Sequence, residues 1–141
     1  MRRDHVILQK KAVHATNATR GSILGERIRV ADTGLTRIVG LLGEHELRLG
    51  DGLLILPSQG VHTWGMRFAI DVAVLDGEWK VIGIRHALRP FRATRVFWGA
   101  AAVLELPSGI LSSSSTSLGD VIEFHAVSPR SEPANGAAIR S

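Results

Sequence analysis

A short segment of mixed chemistry, from His62 to Phe68, stands out in this sequence. It reads HTWGMRF and places an imidazole, a hydroxyl, an indole, a thioether and a guanidinium close together. Such a set can build a pocket in which apolar walls flank groups that orient a polar or anionic ligand. We therefore predict a ligand-binding segment made of His62, Thr63, Trp64, Met66 and Arg67. The alternative is that the indole and the thioether fill the core, as they usually do in small domains.

Two carboxylates that interrupt apolar runs are candidate catalytic groups. Asp71 lies within AIDVAVL and Glu105 within AAVLELP. A buried carboxylate is costly unless it is paired, and two that share a site have one pKa raised, which suits acid–base catalysis. His62 with Asp71 or Glu105 would then form a hydrolase or lyase centre. The alternative is a structural salt bridge from each carboxylate to an arginine, since such pairs also perturb pKa values.

One basic stretch lies inside the chain, between residues 85 and 95. Its charged members and the neighbouring aromatic residues are Arg85, His86, Arg89, Phe91, Arg92, Arg95, Phe97 and Trp98. Guanidinium groups interleaved with aromatic rings can bind phosphates and stack on bases. Nucleic-acid binding through this loop is therefore a further alternative, set against a solvated loop whose arginines meet acidic neighbours.

Neither a metal centre nor a nucleophile is indicated. The six histidines show no HxH, HxxxH or HExxH spacing, and the chain has no cysteine, which excludes thiolate sites and disulfides. We expect no metal and no cofactor. The serines from Ser112 to Ser117 lack the GxSxG pattern and are predicted to form a flexible linker. By elimination, the sequence favours a non-enzymatic module that binds a small ligand or a protein over an enzyme.

The elements that would position these residues are mostly short strands. Apolar patterns, chiefly of period two, predict strands over 23–30, 53–56, 68–75, 78–85, 101–106 and 121–127. Asp76-Gly77 between two of them predicts a hairpin. A short helix is predicted over 33–43, where apolar residues recur with helical spacing and Gly43 can end the helix. Short strands joined by Gly, Pro and Asp turns indicate a mainly β fold, a compact antiparallel sandwich or barrel with this one helix.

The 141 residues fit one domain whose ends differ from its middle. We predict a partly ordered N-terminal segment over 1–19, a β-rich domain over 20–127 and a disordered tail over 128–141. The net charge of +4 lies at the ends, because residues 12–127 hold 11 basic and 11 acidic side chains, which argues against a basic face for nucleic acid. No apolar stretch suits a signal peptide or a membrane helix, so a cytoplasmic protein without a membrane partner is expected. Its oligomeric state, monomer or dimer, is left open.

Several unlike motifs occur in a fixed order along the chain. They are RIVGLLG at 37–43, VHTWGMRF at 61–68, IDV at 70–72, LD at 75–76, LELPSG at 104–109 and GD at 119–120. This pattern resembles the family catalogued as domain of unknown function 192, over about residues 20–126. The resemblance implies a compact, jelly-roll-like β-sandwich. It brings no established activity, so it assigns no catalytic residue.

Overall fold

The computed structural model describes residues 11–31, 47–57, 68–89 and 94–127. These residues form seven strands and one short helix, in the order β1 (Ala12–Asn17), β2 (Ser22–Ala31), β3 (Asp51–Ile55), β4 (Ile70–Asp76), β5 (Val81–Leu88), β6 (Ala100–Pro107), α1 (Ile110–Ser113) and β7 (Ile122–Ala126). The prediction of a mainly β fold is confirmed. The helix predicted over 33–43 and the tail from residue 128 lie outside the described residues.

All seven strands belong to one sheet with the order β5-β4-β6-β3-β2-β1-β7. The pairings are antiparallel, as expected, except that β2 and β3 run parallel, with Arg27 opposite Asp51 and Ala31 opposite Ile55. The predicted hairpin joins β4 to β5. At its turn, Oδ1 of Asp76 accepts the backbone N–H groups of Glu78 and Lys80 at 2.9 and 3.0 Å.

The sheet curls until its two outermost strands meet at one end. Lys80 pairs with Val121 in an isolated bridge. The N–H of Val81 donates to the carbonyl of Asp120 at 2.8 Å, and the N–H of Ile122 donates to the carbonyl of Trp79 at 2.9 Å. Of the two predicted architectures, this half-barrel is nearer to the barrel than to the sandwich.

Apolar side chains cover both faces of this sheet. The concave interior takes residues from every strand, among them Leu24, Ile28, Leu54, Leu75, Leu104 and Ile122. A second cluster lies on the opposite side, which we call the outer face, and consists of Ala31, Leu53, Ile55, Ile70, Val72, Val74, Phe97 and Val103. Since β4 and β6 are buried on both sides, a polar residue within either strand has to find its partners inside the protein.

The serine-rich stretch after β6 is ordered, and its prediction as a flexible linker is wrong. It forms α1 and the turns that follow, and its polar groups bond to one another and to the end of β1. Nδ2 of Asn17 donates to Oγ1 of Thr116 and to Oδ2 of Asp120, both at 2.9 Å. The hydroxyls of Ser114 and Thr116 lie 2.8 Å apart. Internal hydrogen bonds replace the water that a flexible linker would keep.

Asp120 is the centre of this network. Its Oδ2 also accepts Nε of Arg20 at 3.0 Å and the backbone N–H of Ser117 at 2.9 Å. The hydrogen bond from Arg20 is the largest cause that lowers the pKa of Asp120, to about 2, with help from Asn17. The network fastens the loop before β7 to the β1–β2 turn. Within the described residues, no helix has the length and apolar character needed to cross a membrane.

Candidate functional site

The segment predicted to bind a ligand falls outside the described residues. His62, Thr63, Trp64, Met66 and Arg67 therefore remain a prediction. The structure does describe both candidate carboxylates and most of the basic stretch, apart from residues 90–93. The geometry of the outer face is built from these.

Asp71 is a buried acceptor for backbone N–H groups. Its Oδ2 accepts from Gly109 at 3.0 Å and from Leu111 at 2.9 Å, and its Oδ1 accepts from Ala87 at 2.9 Å. Ala87 has a φ of 49°, a left-handed conformation that costs free energy in a non-glycine residue. The carboxylate of Asp71 thus ties β4 to the irregular end of β5 and to the start of α1. Among the described residues these N–H groups, and no arginine, satisfy it.

Glu105 is buried in a different way. It lies in β6 directly opposite Leu53 of β3 and Val72 of β4, two members of the outer-face cluster. The residue is 4% exposed, and its carboxyl group has no hydrogen bond or ion pair to any of the described residues. Burial raises the pKa of Glu105 to about 8. At neutral pH the group is therefore mostly a neutral carboxylic acid.

The structure does not bring the two carboxylates together. Glu105 is directly opposite Val72, whereas Asp71 is directly opposite Leu106, a residue of the concave interior. Directly paired residues of an antiparallel sheet point to the same side, and successive residues point to opposite sides. Asp71 and Glu105 therefore occupy opposite faces, so an acid–base pair formed by both of them is ruled out.

The basic stretch converges on one aromatic ring. The guanidinium carbon of Arg85 lies 5.5 Å from the centroid of the Phe97 ring, and that of Arg95 lies 4.6 Å from it. The ring itself is packed on Gly83, so closely that a Cβ at this position would overlap it. We call Gly83, Arg85, Arg95 and Phe97 the Phe97 cluster. Both guanidinium carbons lie within 5.5 Å of the same ring centroid, so the two positive charges are neighbours.

Neither arginine of the Phe97 cluster is neutralised by a carboxylate of the described residues. Arg85 donates through Nη1 to the carbonyl of Ile84 at 2.7 Å, and its other N–H donors stay available. Arg95 is exposed to solvent. Two neighbouring positive charges with aromatic contacts but without acidic partners create a local field that attracts anions.

Arg85 and Glu105 share the outer face. Arg85 is opposite Val72 on one side of β4, and Glu105 is opposite Val72 on the other side. They are two strand spacings apart, or about 10 Å between backbones. The sequence indicated the arginines and Phe97, because arginines alternate with aromatic residues in the basic stretch. It gave no sign of Gly83, because a glycine under a ring is recognisable only once the ring is in place.

Comparison with known proteins identifies relatives and similar folds. The DUF192 family model, described as "Uncharacterized ACR", matches residues 15–124. A UPF0127 protein of Thermococcus sibiricus is 30% identical over 120 residues, which are 82% of this chain and 77% of that protein. A crystal structure of a protein of unknown function from Novosphingobium aromaticivorans has a TM-score of 0.70 at 22% identity and covers 79% of this chain and 83% of its own.

A second solved structure has the same fold. It is a protein of Sinorhizobium meliloti described as a proposed transcription regulator, with a TM-score of 0.67 at 19% identity, covering 80% of this chain and 92% of its own. At such identities, both crystal structures establish a shared fold alone.

Proposed function

This chain belongs to the DUF192 family, and we propose that it is a non-enzymatic module that binds a small anionic ligand at the Phe97 cluster. One observation carries the proposal. Arg85 and Arg95 lie against the same ring, and neither has an acidic partner among the described residues. The ligand-binding segment predicted from the sequence, which includes His62 and Arg67, is a separate prediction.

The chemistry of two guanidinium groups suits a phosphate or carboxylate. Each group offers several N–H donors in a planar fork that matches the oxygen atoms of these anions, and such charge-assisted hydrogen bonds are about twice as strong as neutral ones. Like charges near one another repel, and a bound anion removes that repulsion. The contacts to Phe97 offset only part of it.

The cluster is held ready for binding by the sheet. Phe97 is buried, at 5% exposure, and rests on Gly83 of β5, the strand that also carries Arg85. Because the ring is fixed before a ligand arrives, binding has to order little beyond the two arginine side chains. The ring that both arginines contact is therefore in place before a small ion binds.

Isothermal titration calorimetry with inorganic phosphate tests the proposal. We expect Arg85→Gln and Arg95→Gln each to weaken phosphate binding by about tenfold or more, since each removes a charge-assisted contact. Arg48→Gln is the matched control. Arg48 is exposed and precedes β3, whereas Ile55, at the other end of this strand, belongs to the same outer-face cluster as Phe97. Absence of phosphate binding, or an equal loss in all three variants, would contradict the proposal.

Acid–base catalysis is a second candidate function, favoured by the burial of Glu105. A carboxyl group whose pKa is raised to about 8 can donate and accept a proton near neutral pH. The enzyme would be a hydrolase or lyase with His62 as the partner of Glu105, since Asp71 is fully engaged with backbone N–H groups.

Carbon-13 NMR of the Glu105 carboxyl tests this second candidate. If the imidazole of His62 lies within hydrogen-bond reach, His62→Ala moves the titration midpoint of Glu105, whereas His86→Ala, an exposed control on β5, does not. An unchanged midpoint in both variants would exclude a His62–Glu105 pair.

A further inference from the structure

Trp98, next to the Phe97 cluster, is exposed to an unusual degree. The residue is 84% exposed, whereas Trp79 in the core is 3% exposed. Tryptophan is a large apolar residue that is highly buried on average, so a solvent-exposed indole indicates a surface that binds a ligand or a partner. Val96, two residues earlier, is also exposed, at 52%.

The turn that carries Trp98 has a defined shape. The N–H of Ala100 donates to the carbonyl of Phe97 at 3.1 Å, which closes a four-residue turn. Gly99 has a φ of 87°, a conformation that glycine adopts readily at the third position of such a turn. Trp98 is therefore presented at the tip of a closed turn and is anchored on the chain directly beside Phe97.

The side chains of Phe97 and Trp98 lie in different surroundings. The phenyl ring turns into the outer face and meets both guanidinium groups, whereas the indole stays in solvent. The Cα atoms of consecutive residues are about 3.8 Å apart. The exposed indole of Trp98, a stacking surface for planar rings, is therefore carried by the residue next to the ring that both guanidinium groups contact.

We infer that the ligand of the Phe97 cluster is a nucleoside monophosphate or a chemically similar molecule, with its phosphate on Arg85 and Arg95 and its planar base stacked on Trp98. This inference rests on the proposed function and adds the class of ligand. A single phosphate matches a single pair of arginines.

The charge of the chain favours a mononucleotide over a nucleic-acid polymer. Residues 12–127 hold 11 basic and 11 acidic side chains. A polymer requires a track of cations that neutralises several phosphates in succession. Within the described residues, the cationic pair on the Phe97 ring fits a ligand with one phosphate.

Titrations with adenosine monophosphate, inorganic phosphate and adenosine test the inference on the full chain. We expect the monophosphate to bind about tenfold or more tightly than phosphate, because stacking on an aromatic side chain adds to the ionic contacts. Trp98→Ala should bring the two affinities close together and leave that of phosphate unchanged. Val96→Ala, an exposed apolar control in the same segment, should leave both unchanged.

Indole fluorescence gives a second readout. The monophosphate should quench the wild type more than it quenches Trp98→Ala, while far-ultraviolet circular dichroism shows that the variant is folded. If phosphate and the monophosphate bind the wild type equally, the inference is overturned and the proposed function stands. If neither binds, both are overturned. If a single-stranded 12-nucleotide DNA binds more tightly than the monophosphate, with a steep salt dependence, a polymer is the ligand and the inference fails.

Discussion

Asp71 and Glu105 lie on neighbouring strands, yet their carboxyl groups belong to opposite faces of the sheet, because Asp71 pairs with Leu106 and Glu105 pairs with Val72. One face offers Asp71 three backbone N–H donors. The other surrounds Glu105 with Leu53 and Val72. Two residues that look alike in the sequence therefore have different surroundings, and burial raises the pKa of Glu105 to about 8.

Asp71→Ala is expected to destabilise the fold. Three buried or partly buried N–H groups lose their acceptor, so we expect the free energy of unfolding to fall by about 3 kcal/mol or more. Urea denaturation measures it. Asp76→Ala is the control, because Asp76 also accepts two N–H groups but does so in an exposed turn. A loss no larger for Asp71→Ala than for Asp76→Ala would show that burial of the carboxylate is unimportant.

Glu105 is expected to make stability fall as pH rises. The unfolded chain releases this proton near pH 4.5, and the folded protein keeps it to about pH 8. Its contribution to the free energy of unfolding is therefore fully present below pH 4.5 and is lost between pH 4.5 and about pH 8. Above that pH, this group no longer changes the stability. The loss is on the order of 5 kcal/mol.

Urea denaturation of Glu105→Gln between pH 5 and pH 9 checks this expectation. The neutral amide should remove most of the decline, whereas Glu78→Gln, which removes an exposed carboxylate, should leave it in place. The same decline in wild type and Glu105→Gln would mean that another group causes it.

Asp120, in contrast, is expected to make stability fall as pH decreases in acid. Chiefly because Arg20 donates to it, the pKa of Asp120 lies at about 2 in the folded protein, below its ordinary 3.8. The stabilisation is present above pH 3.8 and disappears as pH falls through about 2. Thermal unfolding between pH 2 and pH 5 should show a smaller acid-induced drop in Tm for Asp120→Asn than for wild type. Glu26→Gln, at an exposed position, should match the wild type, and an unaltered acid response of Asp120→Asn would contradict the assignment.

Gly83→Ala is expected to displace the Phe97 ring, which packs on Gly83. The added methyl group overlaps the Phe97 ring, whereas at Gly77 it meets nothing within 4 Å. We expect Gly83→Ala to cost about 1–3 kcal/mol of stability and to weaken phosphate binding by moving the ring that both arginines contact. Gly77→Ala should change neither quantity. Phosphate affinity unchanged in a folded Gly83→Ala protein would place the anion elsewhere.

Local parts of the fold were predictable, and long-range pairing was not. Asp76-Gly77 between two apolar runs specifies the β4–β5 hairpin, because the turn chemistry is contained in adjacent residues. The parallel alignment of β2 with β3 depends on partners that are distant in the chain. The apolar run Leu53–Ile55 is buried on both faces, so its pattern does not indicate which strands flank it.

The candidate site was predictable only in its residue types. The interleaving of arginines with aromatic residues marked the basic stretch, but it did not show that Arg85 and Arg95 meet on one ring. Asp71 and Glu105 both interrupt apolar runs, and nothing local distinguishes them. The difference arises from Gly109 and Leu111, which the chain folds back onto Asp71. The serine run has the composition of a linker, and its order depends on Asn17, far away in the sequence.

The place of β1 in the sheet has a consequence for how the protein is made. This first described strand lies between β2 and β7, and within the described residues β7 pairs with β1 over Ile122–Ala126, apart from the hydrogen bond from Ile122 to Trp79. During synthesis, β1 is therefore made long before β7, the described strand that covers its second edge. An incomplete chain that ends before Ile122 exposes that edge to other nascent chains, so premature termination or stalling there favours aggregation.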